Sequence, residues 1–135
     1  MALIRSITTP RFLKIVRTLC IIWLITILIL SLVPVKEFPR APLIPHFDKV
    51  VHFFFYLILA GLSVLSLPAQ NKWGRLTLIF AVTLSFSFVI EILQAILPFG
   101  RSFSVLDLAA NFSGIITGIV SAQLLISAQE NNAKP

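Results

Sequence analysis

The sequence predicts an all-α protein, an integral membrane four-helix bundle, and three observations predict it. Of its 135 residues, 58% are apolar and only 12% are charged, against roughly 25% charged in a soluble domain. The apolar residues come in long blocks rather than in alternation, and a chain this short has too little interior to hide them all from water. Each block approaches or exceeds the ~20 residues needed to cross the hydrocarbon core of a bilayer. Lipid is therefore the better solvent for four segments.

Residues 1–14 read as a basic cytoplasmic or interfacial segment with Arg5, Arg11 and Lys14, and Pro10 limits any helix there to a short one. The first span covers about 15–33 and stops at Pro34, where a helix cannot continue. A basic start and an apolar run also describe an export signal. This run is longer than the usual ~7–15 residues, and no small-x-small cleavage pattern follows Ser31, Leu32 and Val33, so the segment reads as a retained helix. Residues 34–47 contain Pro34, Pro39, Pro42 and Pro45. Irregular backbone of that kind belongs in water or on protein, not against lipid.

The second span covers about 48–67, with Asp48 placed as its N-cap and Pro68 closing it. A polar turn with Gln70, Asn71, Lys72 and Arg75 leads into the third span, about 73–97, which Pro98 and Gly100 end. The fourth covers about 105–126. The four spans make one transmembrane domain over 15–127, and the polar residues 128–135 form a tail expected to be disordered.

The formal net charge is +6, and the basic residues flank the spans. That placement fits membrane orientation and anionic lipid. It lacks the aromatic interleaving that stacks nucleic-acid bases, so no nucleic-acid partner is expected. Arg5, Arg11, Lys14, Arg17, Lys72, Arg75 and Lys134 fall on one side of the membrane, and Lys36, Arg40, Lys49 and Arg101 on the other. The larger set marks the cytoplasm, which puts both termini inside. Cys20 is the sole cysteine, so no intrachain disulfide can form. Among Leu19, Ile21 and Ile22 it reads as an apolar filler. No phosphate-cradling glycine loop, dinucleotide fingerprint, zinc motif or nucleophile elbow is present. His46 and His52 have acids nearby, but Lys49 between them and Pro45 before them argue against a metal. No cofactor is expected.

The start of span two, the end of span three and the start of span four lie at one face of the membrane whichever way the bundle is inserted. The polar residues gather there. Asp48, His52 and Tyr56 recur at four-residue steps, Glu91 and Gln94 are three apart, and Asp107 and Asn111 are four apart. Each set shares one helix face. Glu91 lies roughly 9 Å, or six residues, inside the end of its span. A carboxylate facing lipid at that depth costs several kcal/mol, so it is expected to pair with a cation. Lys49, His52 and Arg101 are the candidates, with Arg101 first because it can donate in bidentate fashion. The stripes should therefore turn inward. Gly114 and Gly118, with Ser113 and Ser121 nearby, permit close helix approach, either to span three or to a second copy.

Three stretches together resemble the VanZ-like family. They are Pro45-His46-Phe47-Asp48-Lys49-Val50-Val51-His52-Phe53 with Tyr56; Glu91-Ile92-Leu93-Gln94 with Pro98, Gly100 and Arg101; and Ser104-Val105-Leu106-Asp107 with Ala110, Asn111, Gly114 and Gly118. They occur in the family's order over about residues 40–120. The resemblance implies a small multi-pass protein of the bacterial inner membrane. The family's namesake is associated with teicoplanin resistance, a label that the resemblance does not transfer.

The expected function is an outward-facing polar site for a cell-envelope component, such as a phosphate-bearing lipid or a lipid-linked cell-wall precursor. His52, Glu91 and Asp107 are the candidate catalytic residues. Asp48, Lys49, Tyr56, Gln94, Arg101 and Asn111 are the candidate ligand-binding residues. Whether a reaction occurs is left open. The alternative is a non-enzymatic membrane factor, in which the cluster locks the bundle or docks an envelope protein.

Overall fold

The computed structural model describes residues 9–34, 46–67, 71–98 and 100–132. The proline-rich loop and the turn at Pro68 and Gln70 lie outside the described residues. Four helices follow one another: α1 Pro10–Leu32, α2 Phe47–Ser66, α3 Lys72–Ile96 and α4 Val105–Asn131. All four are long and apolar enough to cross a membrane. The chain is an all-α multi-pass membrane protein.

Local chemistry moves three helix ends from where the sequence placed them. Pro10 starts α1 instead of interrupting it: the Thr9 hydroxyl accepts from the Phe12 amide at 3.2 Å, and proline fits the first helical turn, where its missing N–H has no partner to lose. α2 is preceded by His46 in a left-handed conformation, φ 61°, with no side-chain cap. Asp48 is thus in the first turn and not at the N-cap, where a carboxylate still favours the positive end of the helix dipole. α4 runs on to Asn131, past the apolar stretch, because residues 127–131 contain no helix breaker. The Asn132 amide closes this helix on the Ala128 carbonyl at 3.1 Å.

The burial pattern is that of a membrane bundle. Outward faces carry Ile21, Ile29, Phe54, Leu78, Val82 and Leu124, all exposed, while the interior holds His52, Thr83, Ser87, Glu91, Gln94, Asp107 and Asn111 among Ile27, Leu59, Ala60, Val64 and Ile115. On α3 the buried polar residues Thr83, Ser87, Glu91 and Gln94 recur at steps of four, four and three, a single inward stripe.

α2 and α4 make the closest contact. A Cβ at Gly114 would overlap the carbonyl oxygen of Phe53, and one at Gly118 that of Leu57. The glycine pair is therefore used within the chain, against α2, not against α3 and not as a free surface for a second copy. α1 leans on α2 through Trp23, whose Nε1 donates to the Phe55 carbonyl at 2.9 Å while the two rings meet edge-on at 5.9 Å. At the far end Arg17 Nε donates to Ser66 O at 3.1 Å and Arg75 Nη1 to Leu67 O at 3.2 Å. Two arginines thus meet carbonyls that the last turn of α2 leaves without intrahelical donors.

Candidate functional site

The end of the bundle where α1 and α3 finish and α2 and α4 begin holds the charged cluster. α3 stops at Leu97 and Pro98, and Gly100 takes φ 73°, a left-handed turn that favours glycine. The chain folds back over its own helix end. The Ser104 hydroxyl then caps α4 by accepting from the Asp107 amide at 3.2 Å, while the Ser104 amide donates to Glu91 Oε2 at 3.2 Å. One serine both starts α4 and holds the buried carboxylate of α3.

Glu91 is 0% exposed. Its second oxygen, Oε1, has no hydrogen bond among the described residues and lies 3.8 Å from His52 Nδ1. The expected Glu91–Arg101 ion pair is not the arrangement found. The Gly100 turn carries Arg101 toward α1, where Nη2 approaches the Leu30 carbonyl at a long 3.5 Å, and the Ser104 amide takes the carboxylate instead. The ion pairs among the described residues are Lys49 with Asp48 and Lys49 with Asp107; the 3.8 Å contact of His52 with Glu91 is ionic only when the imidazole is protonated.

Asn111 fixes the histidine. It is 0% exposed, and its Nδ2 donates to Ser87 Oγ at 2.9 Å. That bond leaves Asn111 Oδ1 facing His52 Nδ1 at 3.1 Å. A carboxamide oxygen only accepts, so the proton of this contact sits on Nδ1. Lys49 Nζ lies 2.6 Å from Asp107 Oδ1 and also reaches the Asp48 carboxylate. The Asp48 side chain is 60% exposed and that of Asp107 only 11%, so the ammonium bridges the rim of the site to its interior. The Tyr56 hydroxyl is buried beside Ser87 without a well-formed hydrogen bond.

The structure thus gathers Asp48, Lys49, His52, Glu91, Asp107 and Asn111, with Tyr56 one turn deeper. Gln94 points elsewhere: its Nε2 donates to the Ser31 carbonyl at 2.9 Å. Gln94 and Arg101 both serve the carbonyls that the end of α1 leaves unmatched. Gln94→Leu is expected to lower bundle stability by about 1 kcal/mol or less, the usual worth of one interhelical hydrogen bond in a membrane protein. Thermal denaturation in detergent, with the cluster otherwise intact, checks this. Sequence reasoning missed Ser87, although it precedes Glu91 by four residues and so shares its face.

His52, Glu91 and Asp107 could also hold a metal, since one donor atom from each lies within 4.8 Å of the others; His46 is not in this group. No curated protein and no solved structure matches the chain. The VanZ/LLP1 family model matches residues 6–126, most of the chain, so the chain belongs to the VanZ/LLP1 family.

Proposed function

We propose that the cluster is a binding site, facing outward from the bacterial cytoplasmic membrane, for an anionic envelope component: a phosphate-bearing lipid or a lipid-linked cell-wall precursor. The observation that carries this reading is Lys49. Its ammonium sits at the rim, held by one exposed and one buried carboxylate, where a phosphate arriving from the headgroup layer can take it over. A bundle built only to be stable has no need of such a group. An open apolar groove on the outer side of α3 and α4, lined by Leu84, Phe88, Val89, Val105, Leu108 and Phe112, suits an acyl or isoprenyl chain. The excess of Lys and Arg on the opposite side supports the outward orientation, with both termini cytoplasmic. If turnover occurs, His52 is the group that moves the proton, with Glu91 and Asp107 orienting it.

A second reading is an assembly lock with no ligand, favoured by the closed chain from His52 through Asn111 to Ser87. His52→Ala, Lys49→Ala and Asp107→Asn separate the two. The binding reading expects membrane levels close to wild type for His52→Ala and Asp107→Asn, loss of any phenotype under envelope stress, and, per folded molecule, loss of co-purifying anionic lipid in native mass spectrometry of Lys49→Ala. Wild-type protein that retains no anionic lipid, or variants whose phenotype simply follows their abundance, would favour the lock.

A further inference from the structure

We infer that His52, Glu91 and Asp107 form a divalent transition-metal site, with Zn²⁺ the first candidate. This rests on the cluster proposed above as a headgroup site, and it adds a resident ion to it. The donors are one imidazole from α2 and one carboxylate each from α3 and α4, all within 4.8 Å. An ion at about 2.0–2.2 Å from each donor would draw them together by side-chain rotation, without moving a helix. One imidazole and two carboxylates, with no thiolate, suit Zn²⁺ or Mn²⁺ rather than a soft ion.

The second observation is Glu91 Oε1. It is fully buried and without a hydrogen bond among the described residues, 3.8 Å from His52 Nδ1; because that nitrogen carries the proton given to Asn111, the imidazole would offer the ion Nε2. A buried carboxylate oxygen without a partner costs several kcal/mol unless something supplies the opposite charge. Asn111 adds a third. It accepts from His52 Nδ1 and is itself held by Ser87, and an oriented partner of this kind is what fixes a metal-ligating imidazole.

Lys49 now occupies Asp107 at 2.6 Å. Asp48 gives the same ammonium a second resting place, so Lys49 can yield Asp107 to an ion without losing a counter-charge. The cluster holds three carboxylates (Asp48, Glu91, Asp107) against the cation Lys49, and a divalent ion would bring that local balance to neutral. Three protein donors leave a tetrahedral ion one open position, which suits an anionic headgroup.

The test uses full-length protein in detergent, stripped with chelator and purified on a tag without histidine. Co²⁺ should bind one per chain with a visible ligand-field band, and Zn²⁺ should displace it. Zn²⁺ should also raise the thermal midpoint of the wild type, a readout that needs no variant. Glu91→Gln and Asp107→Asn should abolish the band, and Asn111→Ala should weaken affinity about 10- to 100-fold. Lys49→Ala separates this inference from the headgroup reading. Freed of its competing ammonium, Asp107 should bind Zn²⁺ at least as tightly as before, while retained anionic lipid falls. No Co²⁺ band and no Zn²⁺-dependent shift in the wild type would overturn the site and leave headgroup binding standing. So would equal binding by the wild type, Glu91→Gln and Asp107→Asn.

Discussion

Gly114→Leu and Gly118→Leu are each expected to leave no native bundle, and Gly114→Ala and Gly118→Ala to destabilise it by amounts near the top of the ~1–3 kcal/mol range for overpacking. The reason is what a new Cβ meets. At both positions it would overlap a backbone carbonyl oxygen of α2, from Phe53 or Leu57. A flexible side chain could swing away, but a carbonyl inside a helix cannot, so α2 and α4 must separate along the seam that positions His52 opposite Asn111. Gly61 supplies the control. A Cβ there meets its nearest atom, the Gly118 carbonyl, at 3.7 Å, an ordinary contact, so Gly61→Ala should stay within about 0.5 kcal/mol of wild type. Reversible unfolding in detergent or bicelles ranks the three alanine variants. Equal stability for Gly61→Ala and Gly114→Ala would mean that the helices do not approach each other at this seam.

That seam marks the limit of what could be read from the residues. The four apolar blocks are visible in the sequence because lipid imposes length and hydrophobicity on each helix separately. The Gly114/Gly118 pair is equally visible as a licence for close approach, yet nothing local says which helix takes it, and α2 did rather than α3. The same division runs through the site. Four-residue spacing put Asp48, His52 and Tyr56 on one face and Asp107 with Asn111 on another, and alternating crossings put those faces at one end. The partners were not legible. Glu91 is held by the Ser104 amide because Gly100 adopts a left-handed turn and reverses the chain there, and a backbone donor leaves no trace in side-chain chemistry. Ser87, between Phe86 and Phe88, carries no sign in its neighbours of the bond it accepts from Asn111.

Lys49→Ala should destabilise the bundle more than the double change Lys49→Ala with Asp107→Asn. Asp107 keeps only 11% of its side chain exposed, and Lys49 Nζ is its cation at 2.6 Å. Removing the cation alone leaves a buried carboxylate without compensation, a loss of about 3–5 kcal/mol where a pair is well buried. Lys49 retains 23% side-chain exposure, and water at the rim brings the expected figure toward the lower end. Asparagine at 107 removes the stranded charge, so the double variant should recover much of the loss. The coupling energy of the cycle isolates the pair from the separate effect of each truncation. Asp48→Asn reports on the other arm: with a side chain 60% exposed, its pairing with Lys49 is worth about 1 kcal/mol or less. A cycle in which the Asp48 and Asp107 arms couple equally to Lys49 would place the ammonium in bulk water. The buried end of the bridge, and with it the rim-to-interior path that a phosphate would follow, would then not exist.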